Sequence, residues 1–206
     1  MNEKFFDLKK EKQDRIINAA LKIFAQNGYR HASTDDIVRE AAISKGLLFH
    51  YFGSKLGVYA FVYDYSVRYL TLELSTTVSK SETDLFALLR QVETARLHVM
   101  YGYPYMQQFL NRAQSEDVGE ALLATEESRN RMEETYEQIY SRADLGKYTS
   151  EADAVKLRRM LELTLRGLMT ERIQEGAFQP EMLYDESLEY LALAEKMLPH
   201  RDVTAE

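Results

Sequence analysis

Apolar residues recur every three or four positions along almost every segment longer than ten residues, and the alternation typical of strands is absent. In the first such segment, apolar residues between Ile17 and Phe24 share one helical face, and Gly28 is placed to end the helix. The last helix is predicted to begin after Pro180 and to stop at Pro199. Together these patterns predict an all-α protein of about nine helices, the clearest over residues 7–27, 34–41, 54–75, 81–101 and 151–175.

Two short helical patterns flank a tight turn near the start of the chain. The first, residues 34–41, is amphipathic, and Ala42-Ile43 is predicted to form the turn. Ser44 lies where an N-cap side chain accepts a backbone N–H of the next helix. In that helix Leu48 and Phe52 are four residues apart and are expected to pack inward, as are Ile37 and Ile43. This layout predicts a helix-turn-helix, in which the second helix enters a DNA groove.

The same stretch resembles the N-terminal DNA-binding domain of the TetR family of bacterial transcription regulators. The resemblance runs from about Arg15 to Tyr65 and includes F-A-Q-N-G-Y, A-S-T-D-D-I-V and S-K-G-L-L-F-H-Y-F-G-S-K. It implies a DNA-binding domain over residues 1–53 and a helical ligand-binding and dimerisation domain over residues 54–206. It also implies a homodimer that binds a palindromic operator in double-stranded DNA and is released by a small effector. Repression is the expected mode, and activation stays open.

The predicted DNA contacts lie at helix ends and on the outward stripe of the second helix. Lys45 is placed to pair with a phosphate or guanine, Gly46 to allow close backbone approach, and Leu47 to contact a thymine methyl. The alternative is that these are solvated lysines and ordinary core aromatics. The full set is Ser33, Thr34, Ser44, Lys45, Gly46, Leu47, Phe49, His50, Tyr51 and Lys55.

The resemblance assigns phosphate binding to Tyr51 and Lys55, but the sequence also departs from the family pattern. Ala42 stands where the family often has glycine, and is tolerated if its φ angle stays negative. Phe49 stands where the family usually has tyrosine, so a phosphate-binding hydroxyl is missing there. We therefore expect base recognition to depend on apolar contact, including that of Leu47.

Aromatic and methionine residues are dense in the middle of the chain, as expected for a mostly apolar ligand pocket with a few polar groups. Arg166 stands alone in an apolar run, so it needs an acidic partner: Glu162, a residue across a dimer interface, or an acidic group of the ligand. The alternative is that these tyrosines are ordinary core residues. The candidate ligand-binding residues are Tyr63, His98, Tyr101, Tyr105, Met106, Phe109, Tyr136, Arg166 and Met169.

The segment over residues 151–175 is apolar nearly all round and must be buried on more than one side. With the last helix, it predicts the seam of a two-fold four-helix dimer interface. Leu161 and Leu191 are the seam positions at which a charge is expected to separate the protomers.

Charge and composition narrow the class of protein. The 206 residues carry a net charge of −7, but residues 1–60 hold 10 Lys/Arg against 7 Asp/Glu and residues 61–206 hold 16 against 26. A mildly basic N-terminal segment followed by an acidic remainder is expected if only the N-terminal segment contacts phosphates. No secretory signal or membrane span is predicted, and a cytoplasmic location is expected.

Enzyme functions are not supported by any motif. The sequence lacks cysteine, a glycine-rich phosphate loop, H-E-x-x-H and G-x-S-x-G, and its histidines are scattered. No catalytic residue, metal or cofactor is therefore expected. The rival interpretation is a helical small-molecule-binding or scaffold protein that does not read DNA.

Overall fold

The computed structural model describes residues 3–148, 150–175 and 178–198, so the predicted helix ends at Gly176 and Pro199 lie outside the described residues. Within these ranges the chain is helical and contains no strand. Among the described helices, none has the length and apolar content needed to cross a lipid bilayer. The α-helices are α1 (Lys10–His31), α2 (Thr34–Ala41), α3 (Lys45–Phe52), α4 (Lys55–Thr77), α5 (Leu85–Gly102), α6 (Met106–Ala113), α7 (Gly119–Tyr140), α8 (Glu151–Gln174) and α9 (Pro180–Met197).

The chain forms two compact units. Unit 1 comprises Met1–Thr71 and Val99–Glu134, and unit 2 comprises Leu72–His98 and Thr135–Glu206. The predicted boundary after residue 53 falls within unit 1, because α1 packs extensively against α6. A functional division at that residue stays a prediction.

Unit 1 has an aromatic core. The ring of Phe24 lies 5.0 Å from that of Tyr59, and the ring of Phe109 lies 5.5 Å from Tyr59 and 6.0 Å from Tyr63. All four side chains are almost fully buried. Edge-on ring pairs of this kind add roughly 0.5–1.5 kcal/mol each beyond the area that they bury. This core fixes α1, α4 and α6 relative to one another.

The turn between α2 and α3 departs from one expectation. Ala42 has φ 50° and ψ 51°, a left-handed conformation, so the negative φ under which alanine would be tolerated there is not observed. Ala42 is the C-cap residue of α2: its amide donates to the Arg39 carbonyl at 3.3 Å, and the Ile43 amide donates to the Val38 carbonyl at 3.0 Å. A residue with a Cβ is strained in this conformation by about 1–2 kcal/mol, whereas glycine is not.

Replacing Ala42 by glycine should therefore stabilise unit 1. Ala42 is exposed, so the substitution removes strain without removing core packing. We expect the free energy of unfolding to rise by only about 0.5–1 kcal/mol, because the greater entropy of glycine in the unfolded chain offsets part of the relieved strain. Thermal or urea denaturation measures the change. Ala152→Gly, at an exposed position in the first turn of α8, should instead lower stability.

In unit 2, α8 and α9 pack against each other and bury one side of each helix. Leu191 is fully buried and Leu161 is 4% exposed within the protomer, so both belong to its core and the prediction of a seam at these residues was wrong. Helical periodicity could not distinguish a protomer core from a dimer seam, because both are apolar. The exposed apolar residues of these helices are Val155, Met160, Leu163, Met182, Tyr190, Leu193 and Met197.

Candidate nucleic-acid interface

Helix α2 begins at a side-chain cap. Ser33 Oγ accepts the Asp35 amide at 3.1 Å, which settles Ser33 rather than Thr34 as the N-cap residue. Ile37 and Ala41 are fully buried, as expected from the amphipathic pattern. The cap and the buried face together hold α2 against α1 and α3.

Helix α3 presents one face to the core and the other outward. Ser44 Oγ accepts the Leu47 amide at 3.2 Å, and Gly53, with φ 73°, ends the helix. Leu48 is fully buried, which confirms its predicted core role. The remaining residues of the helix are exposed or half-buried: Lys45, Gly46, Leu47, Phe49, His50, Tyr51 and Phe52.

Aromatic packing supports the C-terminal end of α3. The Phe5 ring lies 5.7 Å from Tyr51, 5.2 Å from Phe52 and 5.0 Å from Phe61. Phe5 is fully buried although it lies in a charged N-terminal segment. The two adjacent aromatic residues Phe5 and Phe6 could have indicated from the sequence that this segment packs on the core. Tyr51 therefore combines a packing role with an accessible edge.

The two lysines of the interface already have partners. Lys45 Nζ lies 2.9 Å from Asp35 Oδ1, in an ion pair whose side chains are both about half exposed or more. Such exposed pairs contribute roughly 0–1 kcal/mol, so a phosphate can displace this carboxylate at little cost. Lys55 Nζ instead donates to the carbonyls of Tyr29, Arg30 and Ala32 at 2.9, 3.3 and 3.3 Å. A phosphate contact by Lys55 stays a prediction, and it requires at least one of these bonds to open.

The candidate ligand-binding residues fall into two groups. In unit 1, Tyr63, Met106 and Phe109 are buried core residues, whereas Tyr101 is 56% exposed. Tyr105 lines a polar groove of about 390 Å³ on the surface of α1, with the Lys22 ammonium 5.9 Å from its ring. Sequence reasoning placed these residues together because helical spacing does not show which face of α6 meets α1.

The second group lies in unit 2 and comprises His98, Tyr136, Arg166 and Met169. Tyr136 Oη accepts a hydrogen bond from Arg96 at 3.3 Å, and His98 Nδ1 lies 3.7 Å from Glu73. A cavity of about 160 Å³ in this unit is lined by apolar side chains and by the polar residues Glu137, Tyr140, Ser141 and Arg158. Membership of a single pocket stays a prediction for the whole set.

Arg166 donates through Nε to the backbone carbonyl of Glu162 at 3.3 Å. The Glu162 carboxylate itself lies 2.8 Å from Arg158 and 3.5 Å from Arg159. Burial, together with the charge of Arg159, lowers the pKa of Arg166. The described contact between Arg166 and Glu162 is thus one to the backbone carbonyl, while two other arginines lie at the Glu162 carboxylate.

Comparison with known proteins places the N-terminal segment among bacterial regulators. Residues 16–60 match the family described as "Bacterial regulatory proteins, tetR family". The uncharacterized HTH-type transcriptional regulator YuxN of Bacillus subtilis is 52% identical over 46 residues, which are 22% of this chain and 16% of YuxN. The match thus spans about a sixth of that relative.

Solved structures match over nearly the whole chain. A TetR family regulator from Chloroflexus aurantiacus is 25% identical, with a TM-score of 0.65 over 98% of this chain and 99% of its own. FadR from Bacillus subtilis, solved in complex with stearoyl-CoA, is 17% identical with a TM-score of 0.66, over 87% of this chain and 96% of its own. At that identity FadR shows a shared fold alone. Residues 16–60 therefore match the helix-turn-helix domain of the tetR family of bacterial regulatory proteins, and the chain shares the fold of TetR family regulators.

Proposed function

We propose that this protein is a transcriptional repressor that binds a palindromic operator as a homodimer and is released by a small, mostly apolar effector. The observation that supports DNA reading is the outward face of α3, which is capped by Ser44, anchored by Leu48 and begins with Lys45. Side chains at the start of a recognition helix reach base edges, while neighbouring groups bind phosphates. Phosphate contacts fall to Lys45, Tyr51 and the capping hydroxyls, and base contacts to Leu47, Phe49 and His50.

The exposed stripe of α9 supports the homodimer. Met182, Tyr190, Leu193 and Met197 follow each other at spacings of eight, three and four residues, so they lie along one side of the helix. Together with the exposed apolar residues of α8, they make a large apolar surface that a second copy would bury. A dimer also presents two recognition helices to two half-sites, and specificity requires both.

The DNA-reading face is tested by three substitutions and a charge-matched control. Lys45→Ala and Tyr51→Phe should weaken binding to every duplex sequence, whereas Leu47→Ala should change sequence preference and cost about 1–3 kcal/mol at its preferred base. Tyr51→Phe removes the hydroxyl and keeps the ring that packs on Phe5. Lys80→Ala, at an exposed position in unit 2, should leave binding unchanged. Binding to a selected palindromic duplex is measured by fluorescence anisotropy.

Operator binding that survives all three substitutions would assign DNA reading to another surface. If the unmodified protein binds no duplex in a salt-dependent manner but still binds small molecules, the rival function holds instead. That rival is a helical small-molecule-binding protein that does not read DNA.

Release by an effector requires a minimum coupling free energy between effector binding and DNA binding. A repressor needs an effector whose affinity differs between the DNA-competent and the DNA-incompetent state, with a coupling of about 1–3 kcal/mol. A thermal-shift screen of apolar, aromatic and acyl-CoA compounds should therefore yield a hit that lowers operator affinity about 5–150-fold. Tyr105→Phe and Tyr136→Phe, one in each unit, separate the two candidate groups. Tight hits that leave DNA affinity unchanged would contradict effector release.

A further inference from the structure

The connection between α1 and α2 is held by a lysine from α4. Gly28 breaks the helical geometry with φ 67° and ψ 178°, and residues 29–31 form a final turn before Ser33 caps α2. The carbonyls of such a last turn have no partner within the helix. Lys55 Nζ donates to three of the carbonyls between Tyr29 and Ala32 and lies 4.5 Å from the centre of the Tyr29 ring. A cation at a helix C-terminus is also favoured by the helix dipole.

The same turn is held from the other side by acidic residues that lie just before α7 and in its first turn. Glu116 Oε2 accepts the Tyr29 amide at 3.1 Å, and the Tyr29 hydroxyl donates to Glu120 Oε1 at 2.5 Å. Arg30 adds an exposed ion pair with Asp117 at 3.2 Å. Tyr29 is only 5% exposed, and burial, followed by the bond to Glu120, raises its pKa to about 12. It therefore stays neutral and remains a donor at physiological pH.

An ammonium group has three protons, and the three carbonyls accept all of them. We infer that Lys55, Glu116 and Glu120 are positioning residues for DNA binding, which act on the helix-turn-helix by clamping the Tyr29 turn between them. This inference rests on the proposed operator binding. In this inference Lys55 acts on DNA binding indirectly and not through a phosphate contact. Residues more than 60 positions beyond α3 also affect DNA binding.

The physical reason lies in the short distance along the chain between the clamp and α2. Ala32 is the last residue whose carbonyl Lys55 holds, and the next residue, Ser33, caps α2. Movement of the Tyr29 turn would therefore displace α2, and with it α3, which packs on α2. A clamp made of a buried tyrosine and charged hydrogen bonds removes that freedom before DNA arrives.

Salt dependence separates positioning from phosphate contact. The slope of log K against log salt concentration changes by about 0.9 for each phosphate contact, hence by about 1.8 for a residue that contacts phosphate in both protomers. We expect Lys55→Met to lower operator affinity about tenfold while the slope stays within about 0.5 of the unmodified protein. Lys45→Met is the matched comparison and should reduce the slope. A slope that falls for Lys55→Met as it does for Lys45→Met, or an unchanged affinity, would overturn the inference.

The acidic side of the clamp gives a test that does not require Lys55→Met to fold. Tyr29→Phe removes the bond to Glu120, and Glu116→Ala removes the bond to the Tyr29 amide together with those to the Asp117 and Val118 amides. Each should lower operator affinity about fivefold with no change in slope, because each loosens the Tyr29 turn. Glu126→Ala is the control, since Glu126 is exposed on α7 and makes no hydrogen bond or ion pair within the described residues. If Tyr29→Phe and Glu116→Ala bind as tightly as this control, the clamp does not position the helices.

A double-mutant cycle completes the design. Lys55→Met and Glu116→Ala loosen the same turn, so the combined variant should lose less affinity than the product of the two separate losses. Independent losses would contradict a shared clamp while leaving the proposed operator binding intact. Absence of operator binding by the unmodified protein would contradict the proposed function itself.

Discussion

Replacing Leu193 by aspartate is expected to convert the protein to monomers and to lower operator affinity about 30-fold or more. Leu193 is 57% exposed in the protomer, so the substitution leaves the core of unit 2 intact. In the proposed dimer it would bury an unpaired carboxylate on each side of the two-fold axis, which is strongly unfavourable. Specific recognition is worth roughly 4–10 kcal/mol, and a monomer retains about half of it. Sedimentation velocity and operator binding measure the two effects.

Two leucines provide controls for this experiment. Leu123→Asp lies on an exposed position of α7 in unit 1 and should leave the oligomeric state unchanged. Leu191→Asp places the charge in the protomer core and should unfold unit 2, which circular dichroism would reveal. A Leu193→Asp protein that remains dimeric, together with a dimeric Leu163→Asp protein, would place the interface elsewhere.

Replacing Gly57 by alanine is expected to destabilise the helix-turn-helix by about 1–3 kcal/mol or more and to abolish operator binding. A Cβ at Gly57 would overlap the carbonyl oxygen of Phe52. That oxygen also accepts the Ser54 amide at 2.8 Å, so it cannot move without breaking the turn between α3 and α4. Forcing an extra carbon against fixed backbone costs about 1–3 kcal/mol or more. Thermal denaturation and anisotropy measure the outcome.

Gly46→Ala is the matched control because a Cβ there meets no atom of the described residues within 4 Å. Its stability should stay the same or rise by up to about 1 kcal/mol from better helix propensity. If the backbone of α3 approaches DNA at Gly46, operator affinity should fall even though stability does not. Equal thermal stability of the Gly57→Ala and Gly46→Ala proteins would show that the turn adapts.

The helices of this protein follow largely from local sequence. The caps at Ser33 and Ser44 depend on residues within a few positions of one another, which explains why α2 was predicted at its observed bounds and α3 at its observed start. The first helix was predicted to end before Gly28, but α1 continues beyond this kink to His31. The inward role of Leu48 followed from helical periodicity in the same way. The family resemblance then supplied the proposed DNA-reading role of the outward stripe.

Contacts between distant segments depended on the tertiary structure. Periodicity shows that a face is apolar but not what covers it, so Leu161 and Leu191 were taken for a dimer seam although the protomer buries them. The partners of Lys55 and Tyr29 lie 23 to 91 positions away in the sequence, and no local pattern connects them. The sequence by itself therefore determined the helices and their DNA-reading pair. Only the tertiary structure decided which apolar and charged groups meet, because those contacts depend on how the helices pack and not on spacing along the chain.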